Sequence, residues 1–575
     1  MQRIIFIIMC WLSFGIIAFG EPGIEVIYPC KDQKMTVSSG TYILGNVYPR
    51  NGRLSINGYE VPVYRTGGFL AYLPVKKGNF NFSCKLTLPN GKIIKKTIPV
   101  YIRKPKKMQT TGRSVIEDSS YLPDKNLGVL IGEEMTFQCK TLPNKEVICK
   151  IDKTEDSFPL YEQTVNGVKG IYRTTKVFYQ PIRDSSFRFE VANDSSIKAF
   201  RPRNKLSVLP PYEYPVLQVV EDLAKARYTP GGGYNTFLRK GTILQSTGYA
   251  GEWYRILLSK NHPVFVQKNQ MNLNKKGAKT SATKVGNLTC WEDSKAVYIK
   301  LLNVDPVNSI WVEYPGEKRI GLLMYQTTSQ INRIFFQPGI ENLEDLKWMQ
   351  VEDDVLLLDF YLNYPPYYGY FIEYKEDYAL ITLKKSLKDV PRSKIKICLD
   401  AGHGGSDTGA RGPTGKVERE ITLEQIKKIG HKLKEKKFDV IYTRTGQFGP
   451  SLYERAPYAF QQKADVFISV HYNSAADGAN PYKIRATETY YYNRPGKKLG
   501  ESIHSTIIDE TGLKNGGLKY GDLAVCRNNA VPSILLELDY IIIPSAEERI
   551  QTDEFQNKIA EAVTQGMMKY IKQSE

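Results

Sequence analysis

The residues with the clearest chemical potential lie in the segment Asp400 to Gly405, which reads Asp-Ala-Gly-His-Gly-Gly. An apolar run, Ile395 to Leu399, stops at these glycines, and His403 stands among them. A strand that ends in a glycine-rich loop presents a side chain at the carboxyl edge of an α/β sheet. His403 is therefore a candidate metal ligand, provided that later segments supply partners.

The segment 394–575 has the pattern of an α/β domain, a mostly parallel sheet flanked by helices, because apolar runs alternate with amphipathic segments. The predicted strands are 394–400, 438–443, 466–470, 487–492 and 534–536, and the predicted helices are 421–437, 451–463, 497–511 and 554–572. Three strands end at or just before His403, His471 and Glu537. If these strands are neighbours, the three side chains converge at one edge of the sheet. Glu418, in the predicted loop before the first helix, can complete the set.

Seven short motifs follow one another in this segment: Asp400-Ala401-Gly402-His403-Gly404-Gly405, Gly415-Lys416-Val417-Glu418-Arg419, Tyr442-Thr443-Arg444, Leu452 to Arg455, Ser469-Val470-His471-Tyr472-Asn473, Thr487-Glu488-Thr489 and Leu535-Leu536-Glu537-Leu538. In order and spacing they resemble the zinc-dependent N-acetylmuramoyl-L-alanine amidases of bacterial cell walls. The resemblance implies that His403, Glu418 and His471 hold one Zn²⁺ ion and that Glu537 is the catalytic carboxylate. Asn473 and Arg527 are further candidates for substrate binding.

This set of residues also suits the chemistry. Two imidazoles and one carboxylate leave a zinc position open for water, as hydrolytic zinc requires. Glu537 would accept the proton of that water and deliver it to the leaving amine. A carboxylate at the end of an apolar strand is costly to bury without a role, so a purely structural Glu537 is the weaker interpretation.

The segment departs from the family pattern in two places. Leu538-Asp539-Tyr540 follows the catalytic carboxylate, where Gly-Phe is usual, and Arg419 replaces the usual lysine after the second ligand. Tyr492 to Gly496 leads directly into a predicted helix, so we expect no inserted helix that plugs the site. His431 and His504 lie on predicted helices and are expected at the surface.

The first 393 residues predict several all-β modules, because short Val/Ile/Tyr-rich runs alternate with Gly, Asn and Pro turns. The predicted modules are an Ig-like β-sandwich at 21–105, a second β module at 106–210, a bacterial SH3-like barrel at 212–275 and a β-rich domain at 280–390 that resembles the localisation domains of wall amidases. The SH3-like barrel is indicated by Ala226-Arg227, Lys240-Gly241-Thr242 and Trp253-Tyr254. The catalytic domain follows at 394–575.

The formal charge is +19, of which only +3 falls in 394–575, where 26 lysines and arginines face 23 acidic residues. This basic surface suggests an anionic partner, although a simple solubility role fits the charge equally well. Residues 1–20 have the pattern of a secretion signal cleaved near Gly20, with an uncleaved anchor as the alternative. Export permits disulfides, for which Cys30–Cys84 and Cys139–Cys149 are plausible pairs.

Together these features predict an exported amidase, periplasmic or associated with the wall, that cleaves the bond between N-acetylmuramic acid and L-alanine. Its expected partners are peptidoglycan and anionic wall polymers bound by the basic modules. We expect a monomer that binds no nucleic acid and meets the membrane only through its signal segment. Two alternatives stay open: a zinc peptidase that cuts within the stem peptide, and a wall-binding surface protein whose catalytic domain is inactive.

Overall fold

The computed structural model describes residues 21–37, 39–103, 116–117, 120–165, 168–192, 199–221, 223–274, 283–302 and 304–572. The predicted signal segment, 1–20, lies outside these residues. Within the described part of the chain, no helix has both the length and the apolar character needed to cross a membrane.

The N-terminal module, residues 23–102, is a sandwich of two sheets. Its strands are β1 (Gly23–Tyr28), β2 (Gln33–Met35), β3 (Gly40–Tyr48), β4 (Arg53–Ile56), β5 (Tyr59–Val61), β6 (Gly68–Pro74), β7 (Gly78–Thr87) and β8 (Ile93–Ile102). One sheet has the order β1-β3-β6 and the other the order β2-β8-β7-β4-β5. Alternate residues such as Ile43, Phe69 and Phe82 face inward and form one buried cluster between the sheets. We call this module the N-terminal sandwich.

The next two predicted modules share a sheet. Their strands are β9 (Leu127–Leu130), β10 (Glu134–Lys140), β11 (Val147–Ile151), β12 (Ser157–Val165), β13 (Val168–Val177), β14 (Ile182–Ser185), β15 (Phe187–Val191), β16 (Leu206–Leu209), β17 (Val216–Val219), β18 (Leu223–Arg227), β19 (Tyr234–Arg239), β20 (Ile243–Ala250), β21 (Trp253–Ser259), β22 (His262–Gln267) and β23 (Met271–Leu273). β9 pairs with β20 through Gly128 opposite Tyr249 and Leu127 opposite Ala250. The boundary expected near residue 210 therefore separates two hydrophobic clusters, but it does not separate two sheets.

The fourth module is also all-β. Its strands are β24 (Thr283–Val285), β25 (Leu288–Glu292), β26 (Ala296–Leu302), β27 (Ser309–Glu313), β28 (Arg319–Tyr325), β29 (Thr327–Ser329), β30 (Ile334–Phe336), β31 (Leu343–Glu352), β32 (Val355–Leu362), β33 (Tyr370–Tyr374) and β34 (Tyr378–Lys384). A five-stranded and a four-stranded sheet enclose one apolar cluster. The upstream part of the chain is thus rich in β-structure, as the sequence predicts.

The C-terminal domain is an α/β sheet flanked by helices. Its strands are β35 (Lys396–Ala401), β36 (Asp439–Tyr442), β37 (Val466–Asn473), β38 (Thr487–Tyr491), β39 (Asn515–Tyr520) and β40 (Ser533–Tyr540). Its helices are α1 (Glu418–Glu435), α2 (Arg455–Gln461), α3 (Pro481–Ile484), α4 (Arg494–Thr511), α5 (Pro544–Ile550) and α6 (Asp553–Lys572). The strand order is β36-β35-β37-β40-β38-β39, and only the β38–β40 pairing is antiparallel.

Both faces of this sheet are covered, which explains its nearly continuous apolar strands. On one face Leu399, Ile468 and Leu536 pack in a cluster that includes residues of α1, α4 and α6. On the other face Phe467 and Leu535 belong to a smaller cluster with residues of α2 and the segment 523–531. Since β35, β37 and β40 are neighbours, their carboxyl ends meet at one edge, as the sequence predicts.

Three local expectations were wrong. Glu418 is the first residue of α1 and does not lie in the preceding loop, because the helix begins one turn earlier than the apolar pattern indicates. His504 is buried, with Nδ1 2.9 Å from the Thr489 hydroxyl and Nε2 2.9 Å from Asn515 Oδ1, whereas His431 is exposed as expected. Neither proposed disulfide forms among the described residues: Cys84, Cys139 and Cys149 are thiols buried in apolar clusters.

The upstream modules pack directly on the C-terminal domain. Tyr42, Leu44 and Leu70 of the N-terminal sandwich belong to the same buried cluster as the sheet and its helices. From the fourth module, the Glu313 carboxylate accepts a hydrogen bond of 2.9 Å from the backbone N–H of Arg494, the first residue of α4. A carboxylate at this position satisfies a free helix N–H and complements the helix dipole.

We predict that Ile468→Ala destabilises the C-terminal domain by about 2–5 kcal/mol, because Ile468 is fully buried in the central strand β37 and its truncation leaves a cavity. Every α-helix among the described residues lies in 418–572, so urea unfolding followed by circular dichroism at 222 nm reports this domain. Ile484→Ala, at a 40% exposed position, is the control and should change the unfolding free energy little. Equal effects of both substitutions would contradict the assignment of Ile468 to the core.

Candidate metal centre

The structure brings His403, Glu418 and His471 together. One ligand atom from each residue lies within 4.8 Å of the others, and this is the one such metal-ligand group found among the described residues. His403 lies in the loop after β35, Glu418 begins α1, and His471 lies near the end of β37. His403 has a positive φ of 64°, a backbone conformation that turns the chain sharply at the ligand.

Two glycines make this close approach possible. A Cβ atom on Gly402 would lie 2.3 Å from Cε1 of His471, and a Cβ on Gly409 would lie 2.6 Å from both Glu418 Oε2 and His403 Cδ2. Any larger residue at either position would collide with a ligand side chain. The glycines around His403 are therefore required by packing as well as by backbone conformation.

The Glu418 carboxylate lies between the two imidazoles. Its Oε2 is 3.1 Å from Nε2 of His403, and its Oε1 is 3.0 Å from Nδ1 of His471. The backbone N–H groups of Ala410 and Tyr472 donate hydrogen bonds of 2.9 and 3.0 Å to the same carboxylate. Burial raises the pKa of Glu418, but the neighbouring imidazoles of His403 and His471 outweigh this and hold it well below its usual range.

Asp407 orients the first ligand, a role that sequence reasoning missed. Its Oδ2 is 2.9 Å from Nδ1 of His403, which directs Nε2 towards Glu418. Burial lowers the pKa of His403, but Glu418 and Asp407 offset this and raise the pKa to about 10. A carboxylate on the far ring nitrogen is the usual outer partner of a metal-binding histidine. Asp407 could have been identified from the sequence by its position four residues after His403, beyond the two glycines.

The buried ion pair of Asp400 and Arg455 supports the backbone of the His403 loop. Asp400 is fully buried at the end of β35, and its carboxylate accepts hydrogen bonds from Arg455 Nη1 at 2.7 Å and Ser469 Oγ at 2.6 Å. Arg455 in turn donates to the backbone carbonyls of Ala401 at 2.7 Å and His403 at 2.6 Å. The first residue of α2 thus fixes the backbone of the first ligand.

Arg444 closes the same loop from the other side. Its guanidinium donates to the carbonyls of Ala401 at 3.1 Å, Gly402 at 3.0 Å and Arg419 at 2.7 Å. Burial and the nearby charge of Arg455 lower the pKa of Arg444 to about 10, so it stays cationic at neutral pH. Arg444 therefore joins the His403 loop to the residue that follows Glu418.

Glu537 lies beside the metal-ligand group. It is paired with His471 in the parallel β37–β40 register and with Glu488 in the antiparallel β38–β40 register. Its Oε2 atom is shielded from solvent and has no hydrogen-bond partner among the described residues. Burial, together with the charge of Glu418, raises the pKa of Glu537 well above its usual range. A carboxyl group in this state is suited to hold and release a proton.

Glu488 forms the wall of the site next to Glu537. Its carboxylate is paired with Lys519, accepts a hydrogen bond of 2.7 Å from the Tyr490 hydroxyl and lies 3.4 Å from the Asn473 amide nitrogen. Asn473 is therefore at the edge of the candidate cleft. Its role in substrate binding stays a prediction.

The expected role of Arg527 in substrate binding is not supported by its position. Its side chain is 8% exposed, is paired with Asp522 and lies against the rings of Tyr234, Phe237 and Tyr492. Two of those rings belong to the third module, so Arg527 joins that module to the C-terminal domain. Sequence reasoning could not foresee this because the partners lie about 290 residues upstream.

Asp539, the departure from the family pattern two residues after Glu537, is buried inside the domain. Its carboxylate binds Arg485 through two bonds of 2.9 Å and also pairs with Arg549, and its side chain is 3% exposed. Burial raises the pKa of Asp539, but the Arg485 hydrogen bonds outweigh this and lower it. The usual Gly-Phe would bring no charge to this position. The negative charge that Asp539 brings is neutralised inside the domain by Arg485 and Arg549.

Glu547 holds the loop that connects the first two ligands. Its carboxylate accepts hydrogen bonds from the Thr414 N–H at 3.0 Å and the Thr414 hydroxyl at 2.8 Å. A Cβ on Gly412 would lie 2.2 Å from Glu547 Oε1, so this approach also requires glycine. Burial raises the pKa of Glu547 to about 7, despite the donors from Thr414.

The residues present fit a zinc ion of the catalytic kind. Zinc sites that catalyse hydrolysis use three protein ligands from His and carboxylate side chains and keep one position open. Here the donor set is two imidazoles and one carboxylate, with an outer carboxylate, Asp407, already on His403. The partnerless oxygen of Glu537, a residue paired with His471 in the sheet register, lies next to this donor set.

Comparison with known proteins gives a consistent family. A family model described as N-acetylmuramoyl-L-alanine amidase matches residues 397–569. The uncharacterized protein YqiI of Bacillus subtilis is 32% identical over 181 residues, which cover 31% of this chain and 85% of YqiI. The probable cell wall amidase LytH of Staphylococcus epidermidis is 31% identical over 193 residues, 33% of this chain and 63% of LytH. The solved N-acetylmuramoyl-L-alanine amidase AmiC2 of Nostoc punctiforme is 32% identical, with a TM-score of 0.30, and the match covers 31% of this chain and 98% of AmiC2.

The chain therefore belongs to the N-acetylmuramoyl-L-alanine amidase family through its C-terminal domain. The chain spans less than two thirds of LytH, and the matched segment excludes the four β-rich modules. The family match thus concerns the part of the chain that carries the metal-ligand group.

We predict that Arg455→Met destabilises the C-terminal domain by about 3–5 kcal/mol, because Asp400 would stay buried without its partner. The freed His403 loop should also weaken zinc retention by roughly tenfold or more. Urea unfolding at 222 nm and metal analysis after dialysis against a weak chelator measure the two effects. Arg411→Met, at an exposed position, is the control. Unchanged stability in Arg455→Met would contradict the role of the ion pair.

We also predict that Glu547 makes stability depend on pH. Because its pKa is raised from 4.5 to about 7, the folded state holds this proton more tightly than the unfolded state. The resulting stability is complete below about pH 4.5 and is lost as the pH rises to 7, by up to about 3 kcal/mol.

In Glu547→Gln this part of the pH dependence should disappear, while the amide oxygen can still accept from Thr414. Unfolding free energies measured from pH 4.5 to 7.5 test the prediction, with Glu554→Gln at an exposed position as the control. Parallel pH profiles for Glu547→Gln and the unsubstituted protein would contradict it.

Proposed function

We propose that this protein is an exported, zinc-dependent N-acetylmuramoyl-L-alanine amidase that hydrolyses the amide bond between N-acetylmuramic acid and L-alanine in peptidoglycan. The observation that carries the proposal is the group His403, Glu418 and His471 beside the partnerless carboxylate oxygen of Glu537. Membership of the amidase family and the similarity to probable cell wall amidases support the same reaction and substrate class.

In this proposal His403, Glu418 and His471 hold the zinc ion. Bound zinc would supply Lewis-acid activation of water and of the scissile carbonyl. Glu537 takes a proton from the attacking water and gives it to the nitrogen of the leaving L-alanine. Burial raises the pKa of Glu537, which makes its carboxylate a stronger proton acceptor than a carboxylate in water and so favours the first of these transfers.

The outer residues keep these groups in place. Asp407 sets the orientation of the His403 ring, and Arg455 sets the backbone of the same residue. Glu488 supplies a second carboxylate next to Glu537, and Lys519 balances its charge. Asn473, at the edge of the cleft, is the candidate for a hydrogen bond to the substrate.

The remaining parts of the chain fit delivery to the wall. Residues 1–20 would direct export, and an SH3-like module at 212–275 with the other basic modules would bind peptidoglycan or its anionic polymers. The charge of +16 outside 394–575 favours an anionic partner over a neutral one. The protein would act as a monomer outside the cytoplasm.

Two alternatives give different products. A zinc peptidase with the same ligands would cut between amino acids of the stem peptide and leave the bond to N-acetylmuramic acid intact. A wall-binding protein with an inactive domain would release nothing, although the complete set of four site residues argues against it. Mass spectrometry of fragments released from purified peptidoglycan distinguishes all three.

We predict that Glu537→Gln keeps zinc and loses activity by a factor on the order of 10² or more, since it removes only the proton carrier. His471→Ala should lose both zinc and activity. His431→Ala is the matched control, because that histidine is 75% exposed on α1. Metal analysis and peptidoglycan digestion measure the outcomes. Full activity in Glu537→Gln would remove this residue from the mechanism.

A further inference from the structure

The N-terminal sandwich packs against, and hydrogen-bonds to, the loop that follows the second histidine of the metal-ligand group. This loop, residues 474–485, begins directly after Asn473 and joins β37 to β38. Gly478 within it has a φ of +80°, and a Cβ there would lie 3.1 Å from the side chain of Val37 in the sandwich. The loop is therefore shaped to fit against the module.

Several hydrogen bonds connect the sandwich to this loop, including one of 3.2 Å from the Tyr482 hydroxyl to the Leu70 carbonyl. The Tyr42 hydroxyl donates to the Ala475 carbonyl at 2.7 Å, and the Tyr72 hydroxyl donates to the Gly478 carbonyl at 3.2 Å. The Gly478 N–H donates to the Thr41 hydroxyl at 3.4 Å, and the Tyr28 hydroxyl donates to Asp477. Both backbone groups of Gly478 are thus satisfied by side chains more than 400 residues earlier in the sequence.

Two of the residues that bind the loop, Thr41 and Tyr42, are themselves held in place by burial. Thr41 and Tyr42 lie in β3, the central strand of the three-stranded sheet, and they are 0% and 4% exposed. The Tyr42 ring stacks on Tyr28 with their centroids 4.4 Å apart. Such side chains have little rotamer freedom left to lose, so they can hold a partner at low entropic cost.

The sandwich also contacts the loop that leads to Glu418. The Asn46 amide donates to the Pro413 carbonyl at 3.1 Å, and a Cβ on Gly68 would lie 3.0 Å from the Pro413 ring. On α5, Glu548 forms an ion pair of 2.5 Å with Arg65. The module therefore contacts segments next to two of the three metal-ligand residues.

We propose that the N-terminal sandwich forms a fixed wall of the substrate cleft, and that Thr41, Tyr42 and Tyr72 are positioning residues that hold loop 474–485 ready for peptidoglycan. This inference rests on the proposed amidase function. A free loop of this length would have to be ordered each time substrate binds, which weakens binding. With the loop already held, the segment that follows Asn473 is ordered before substrate binds, and the cost of ordering is met in the folded protein.

The test compares the full-length protein with the variants Tyr42→Phe and Thr41→Val/Tyr42→Phe. Both keep the buried ring and the size of the side chains, and they remove the hydroxyl contacts to the loop together with the contacts of the same hydroxyls with Tyr28. Tyr101→Phe, at a 38% exposed position on β8 of the same module, is the matched control. Each protein is assayed on peptidoglycan fragments made soluble by a muramidase, and its loop is followed by hydrogen exchange and mass spectrometry.

We expect the double variant to raise KM about three- to tenfold, from the loss of hydrogen bonds, with kcat changed by no more than about twofold. Exchange in peptides covering 474–485 should become faster, whereas β3 should keep its protection and zinc content should stay unchanged. Tyr101→Phe should match the unsubstituted protein in every measurement. A merely structural role would loosen the loop without changing KM.

An unchanged KM, with or without a looser loop, would overturn the proposal, as would a loss of protection throughout β3. These outcomes differ from failure of the proposed function. If the unsubstituted protein binds no zinc or releases no amidase product, the amidase assignment fails before the variants are compared.

Discussion

The centre depends on one buried carboxylate. Asp400 has no access to solvent, so it requires the charge of Arg455 and the hydroxyl groups of Ser469 and Thr443, which come from three different segments. Satisfying it places the start of α2 against the end of β35 and leaves Arg455 free to bind the carbonyl of His403. The backbone position of His403 therefore depends on the need to neutralise the buried charge of Asp400.

Much of the C-terminal domain could be predicted because its strands are buried on both faces and end at polar residues. The positions of His403, His471 and Glu537 follow from that pattern. Glu418 was misplaced because Val417, the residue before the helix, has no capping side chain to indicate the start. His504 was misplaced because its buried partners, Thr489 and Asn515, lie on strands whose side chains cannot be read from the helix alone.

The arrangement of the modules could not be predicted, and the reason is physical. The contacts of Tyr42 with Ala475 and of Arg527 with Tyr234 join hydroxyls, carbonyls and rings across long separations, and such contacts produce no periodic pattern. Aromatic residues also look alike in a module core and at a module interface. The sequence alone favours separate modules that deliver a catalytic domain, whereas the structure packs them against the loops of the centre itself.

The continuous pairing of β9 with β20 has a practical meaning for how such proteins are taken apart and recombined. Binding modules are usually treated as cassettes that can be cut at a linker and fused elsewhere. Here a cut near residue 210 would remove β9, which pairs with Tyr249 and Ala250 of β20, and leave those backbone groups at an open sheet edge, which invites aggregation. A boundary drawn from sequence motifs alone would divide this sheet, and the core of the third module also includes Tyr325 and Val355 of the fourth.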